Sequence, residues 1–72
     1  MQTLDKKLAE TIAKNIKKYR EEKGISKNKM AEEANINRFS LIKYERGEMI
    51  PTINALIKIA NYLEITVDEL IR

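Results

Sequence analysis

Five residues between positions 37 and 43 carry side chains suited to reading the edges of base pairs: Asn37, Arg38, Phe39, Ile42 and Lys43. Arginine can donate two parallel hydrogen bonds to the O6 and N7 acceptors of guanine, and a phenyl ring can pack on the methyl of thymine. Arg38 and Phe39 therefore lead the group, and a half-site containing both G and T is the expectation. In a helix over this stretch Leu41 and Tyr44, three apart, share one face, and the five candidates fall away from it. Each has a plainer role open to it. Asn37 suits a helix cap, Phe39 and Ile42 suit a core, and Lys43 suits a phosphate contact alone.

Two short helices must position this set. Ser26 is a good N-cap, and Lys27 to Ala34 carry a helical pattern with Met30, Ala31 and Ala34 on one side. Asn35 follows where that helix must stop, and Asn tolerates the left-handed conformation better than most residues other than Gly. Ile36 is apolar, Asn37 can cap the second helix, and Gly47 ends it. A pair of helices joined by so short a turn meets at a steep angle and can lay its second member in the major groove of DNA. Lys29 stands where a Glu would have completed a capping box, and a cation there opposes the helix dipole. That loss to the helix points to a gain with phosphate.

The rest of the chain reads as helix. Thr3 or Asp5 can cap a long first helix with Leu4, Leu8, Ile12, Ile16 and Tyr19 as its apolar stripe, ending at Gly24. Leu4 and Leu8 need burial, against Leu70 and Ile71 or against a second subunit. Pro51 closes a loop and Thr52 caps a fourth helix whose Ile53, Leu56, Ile57, Ile59, Ala60 and Leu63 form a wide face for the core. Thr66 and Glu69 make a capping box for a short fifth helix, with Ile65 and Leu70 placed as a hydrophobic staple. Neither repeats nor linkers interrupt residues 1–72, which read as a single domain with its helix-turn-helix at about 27–46.

Composition removes several classes of function. The chain of 72 residues has neither cysteine nor histidine, so thiolate and imidazole ligands and the commonest general base are missing, and no metal site or cofactor is expected. Its two glycines, Gly24 and Gly47, sit at helix ends and build no phosphate-cradling loop. Carboxylates, lysines and tyrosines alone make an enzyme a poor reading. No apolar run approaches the roughly 20 residues that span a bilayer, and the N-terminus lacks a signal-peptide pattern, so a soluble cytoplasmic protein without membrane contact is expected. The net charge of +3 is unevenly spread: residues 14–43 carry nine basic against four acidic side chains, while residues 44–72 carry three against five. The basic half holds the helix pair, as a polyanion-binding face requires.

Over about residues 12–71 the sequence resembles the phage-repressor and Cro-like helix-turn-helix proteins of the XRE family. Ala31, Ile36, Leu41, Tyr44 and Glu45-Arg46-Gly47 carry the likeness, with Ile12, Ile16, Tyr19, Arg20, Lys23-Gly24, Pro51-Thr52 and Val67-Asp68-Glu69-Leu70 in support. The resemblance implies an all-α, compact five-helix lambda-repressor-like fold, here with an extended first helix. It implies base contacts through Asn37, Arg38, Phe39, Ile42 and Lys43. Phosphate contacts are expected from Lys27, where the family often has Gln, and from Lys29 and Ser40. Arg46 joins them in place of the loop Glu48-Met49-Ile50, which is acidic and apolar where relatives are basic. It also implies that Arg20 pairs with Glu45 as a structural tie, an arginine fork holding a carboxylate bidentately.

The function expected on these grounds is sequence-specific binding of double-stranded DNA by a homodimeric transcriptional regulator, most readily a repressor on a palindromic operator. The competing reading is an antitoxin-type interaction module with a regulatory protein partner, in which DNA binding serves autoregulation. Exposed apolar residues would favour the second reading, with Phe39, Met49, Ile50, Leu4 and Leu8 as the candidates.

Overall fold

Twenty residues from Thr3 to Glu22 form α1, about 30 Å long at 1.5 Å per residue, and the molecule measures 31 Å along its longest axis. In this computed structural model the backbone is described for residues 3–72 and the side chains for residues 5–72. Four shorter helices complete the described chain: α2 (Lys27–Ala34), α3 (Arg38–Glu45), α4 (Ile53–Leu63) and α5 (Val67–Ile71), and no strand occurs among the described residues. α1 rests on α3 and α5, α2 on α3 and α4, and α4 on α5.

Local chemistry accounts for the boundaries. The side chains of Ser26, Asn37 and Thr52 each accept, at 3.1 Å, the amide three residues on, and Thr66 and Glu69 cap each other reciprocally. Asn35 takes the left-handed conformation at φ 58°, which ends α2, and Gly47 at φ 71° lets the chain leave α3. Glu64 ends α4 in the same conformation at φ 59°, one that favours glycine.

Ile12, Ile16, Met30, Leu41, Ile59 and Leu70 are fully buried, so every helix contributes a side chain to one core. Two expectations are corrected there. α4 buries Leu56, Ile59, Ala60 and Leu63, but Ile53 is 66% exposed and Ile57 45% exposed, because they lie one turn apart on the side of α4 away from that face. Neither Thr3 nor Asp5 is the cap, since Thr3 is already helical; Asp5 lies in the first turn, where its charge complements the dipole. Leu8 is half-buried against the core and Leu70 is buried, whereas Ile71 is exposed. The burial expected for Leu4 concerns a side chain outside the described residues.

Candidate nucleic-acid interface

α3 has one inward face and one outward face. Leu41 is fully buried and Tyr44 is 5% exposed, and these two anchor the helix to the core. Asn37, Arg38, Phe39, Lys43 and Arg46 are exposed, while Ile42 and Ser40 are half-buried. Phe39 is the most exposed large apolar side chain among the described residues at 71%, which removes it from the core. The Phe39 ring stands in water beside Arg38 on the first turn of α3. Asn37 uses its carbonyl oxygen to cap the helix at Ser40 N, so only its amide NH2 faces outward uncommitted.

At the start of α2, Lys29 is exposed and Lys27 half-buried, both beside the N-terminus that Ser26 caps. Of the nine basic residues in 14–43, two are paired with carboxylates. Arg20 donates from Nε and Nη2 to the two carboxylate oxygens of Glu45 at 2.8 and 3.0 Å, and from Nη1 to the Ile25 carbonyl at 2.7 Å. Its side chain is 10% exposed and that of Glu45 2% exposed. The hydrogen bond to Glu45 holds the guanidinium pKa above its ordinary value against the opposing effect of burial. Lys23 meets Glu64 at 3.1 Å on the surface. The other seven, Lys14, Lys17, Lys18, Lys27, Lys29, Arg38 and Lys43, have no acidic partner among the described residues.

Three further contacts brace the fold and were not evident from the sequence. Lys58 Nζ donates to the Asn35 carbonyl at 3.2 Å, tying α4 to the turn. The Tyr62 hydroxyl donates to Glu33, tying α4 to α2. Asn15, 9% exposed on α1, donates from Nδ2 to the carbonyls of Leu70 at 2.7 Å and Arg72 at 3.1 Å and so satisfies the end of α5. A polar residue lodged between Ile12 and Ile16 was the one signal available for it.

An outward second helix on a capped turn, braced by α1 and α4, defines a helix-turn-helix module. The sequence model of the helix-turn-helix family HTH_3 matches residues 16–70, and the chain belongs to that family, the XRE-type transcription regulators. It is 54% identical over 41 residues to the cryptic phage CTXphi transcriptional repressor RstR of Vibrio cholerae serotype O1, a match covering 57% of this chain and 37% of that protein. It is 33% identical over 61 residues to the uncharacterized HTH-type transcriptional regulator YqaE of Bacillus subtilis, covering 85% of this chain and 53% of that one. The chain thus spans roughly a third to a half of the length of these relatives. A crystal structure of an HTH_3 family transcriptional regulator from Vibrio cholerae superposes with a TM-score of 0.85 at 33% identity, over 92% of this chain and 37% of that one. The hypothetical transcription factor NHTF from Neisseria shares the fold, with a TM-score of 0.84 at 23% identity over 90% of this chain and 75% of that one. The family is one of transcription regulators rather than enzymes.

Proposed function

We propose that the chain binds double-stranded DNA in a sequence-specific way and regulates transcription, acting as a repressor from a palindromic operator. The observation that carries this reading is the outward face of α3, where Arg38, Phe39 and Lys43 stand exposed on a helix anchored by Leu41 and Tyr44. Arg38 and Phe39 read G and T, Lys43 and Ile42 add contacts along the groove, and the Asn37 amide donates at its edge. Lys27, Lys29 and Arg46 hold the phosphates, and Ser40 is the remaining candidate for that role.

One copy reads little. A helix of eight residues is about 12 Å long, three or four base pairs of groove, so operator-level specificity calls for two copies on half-sites about 34 Å apart. The RstR likeness supports repression, because that relative is named as a repressor. Selection of bound sequences from a random duplex pool tests the proposal. A two-fold symmetric consensus with G and T in each half, centred about 10 base pairs apart, is the expected result. Recovery of no consensus would overturn it.

A further inference from the structure

The two ends of α3 are held by different parts of the fold. At its C-terminal end the Arg20–Glu45 pair fixes it to α1. At its start the Asn37 side chain bonds Ser40 N of the same helix, so the cap itself does not tie α3 to the rest of the molecule. Just ahead of that cap lie Asn35 and Ile36, and this turn is reached from α4. Lys58 Nζ donates to the Asn35 carbonyl at 3.2 Å, and one helical turn further along α4 the Tyr62 hydroxyl donates to Glu33.

Donors and acceptors are matched in register. Lys58 and Tyr62 are four apart and share one side of α4, while Glu33 and Asn35 flank Ala34, the last residue of α2. Asn35 carries the left-handed backbone that reverses the chain, and its carbonyl lies two residues before the α3 cap. A cation set at the end of α2 also complements the dipole of that helix. Ile36 packs on the core, but apolar burial is non-directional; the Lys58 hydrogen bond adds the direction. Lys58 and Glu33 are exposed, and Lys58 has no carboxylate partner among the described residues, so neither contact belongs to the core. α3 rests on α1 and α2, and α4 rests on α2, so what α4 does to α3 passes through the end of α2 and the turn.

We propose that Lys58 and Tyr62 are positioning residues for sequence recognition: from α4 they hold the end of α2 and the turn, and so fix where α3 begins relative to the base edges it reads. This rests on the DNA-binding reading. Arg38 and Phe39 follow the cap by one and two residues, so a displaced turn displaces them first. Hydrogen bonds to base edges demand good distance and angle, whereas attraction between a lysine and a phosphate tolerates a small shift. The loss therefore falls on the operator and spares random duplex.

The test measures affinity for the selected operator and for random duplex over a range of salt concentrations, well below the melting midpoint. Lys58→Met keeps the aliphatic stem and removes the donor, Tyr62→Phe keeps the ring, and Lys58→Arg restores a charged donor. Lys58→Met and Tyr62→Phe should each bind the operator about fivefold more weakly, with random-duplex affinity, salt slope and melting midpoint nearly unchanged, and Lys58→Arg should recover most of the loss. Equal weakening on both duplexes in Lys58→Met, with the salt slope shallower by about one per copy, would make Lys58 a phosphate contact and overturn the proposal. A parent chain that discriminates, with Lys58→Met and Tyr62→Phe discriminating as well as it does, overturns the proposal alone. A parent chain with no preference for any duplex overturns the DNA-binding reading and the proposal together.

Discussion

Arg20 on α1 and Glu45 on α3 meet side-on, two guanidinium nitrogens to two carboxylate oxygens at 2.8 and 3.0 Å, with the Ile25 carbonyl taking a third N–H. The contact lies at the end of α3, so it sets the angle at which the exposed face of that helix stands from the body. Both side chains are at most 10% exposed, and removal of one leaves the other as an uncompensated buried charge. Arg20→Ala or Glu45→Ala should each cost about 3 to 5 kcal/mol in denaturant unfolding, and the double variant should cost much less than the sum. Additive losses would mean that the pair is not an energetic unit.

Phe39 tests whether exposure on α3 serves binding. With 71% of its surface in water, Phe39→Ala should leave the melting temperature nearly unchanged, whereas a core phenylalanine would cost about 3 to 5 kcal/mol. The same substitution should relax one position of the selected operator. A large drop in stability would return Phe39 to a packing role.

Much of this was legible before the fold was known. Ser26, Asn37, Thr52 and Thr66 announce four helix starts because a cap is a contact over three residues, and the amides they satisfy lie within the same turn. Leu41 and Tyr44 declare the inward side of α3 for the same reason. α4 was less readable: apolar residues cover most of its circumference, so periodicity could not say that Ile53 and Ile57 would be left outside. Asn15 was unreadable in detail, since its acceptors are backbone carbonyls 55 and 57 residues away that any sequence could supply.

Glu64 holds a left-handed backbone that costs a residue with a Cβ on the order of 1–2 kcal/mol. Glu64→Gly removes that cost, loses an exposed pair with Lys23 of about 0.2–1 kcal/mol, and adds some freedom to the unfolded chain. A rise of a few degrees in melting temperature is expected, at about 4–8 °C per kcal/mol for a domain this size. A fall would show that the lost Lys23 pair and the freer unfolded chain together outweigh the backbone relief.

The Tyr62 hydroxyl is held above the usual phenol value of 10, first by its hydrogen bond to Glu33 and then by desolvation and the nearby carboxylate charge. A folded-state pKa raised above the unfolded one means that the stabilisation is complete below pH 10 and is lost as pH rises through the raised value. Glu33→Gln should bring the Tyr62 midpoint down in a tyrosinate absorbance titration. An unchanged midpoint would show that the carboxylate does not act on it.

If about six phosphates are neutralised by two copies, log affinity for duplex should fall with log salt at a slope of about −5. Duplex should also bind more tightly than single strand of the same sequence. A flat salt response would remove the seven unpaired basic residues of 14–43 from the interface.

Arg38→Ala, measured in parallel on the selected operator and on random duplex, tests most directly whether α3 reads sequence. Arg38 is exposed on the first turn of α3, and an arginine side chain can donate to both O6 and N7 of guanine. The substitution should cost about 1 to 3 kcal/mol on the operator and little on random DNA, narrowing the ratio between them. Equal weakening on both would make Arg38 a phosphate contact and would contradict sequence reading through this residue.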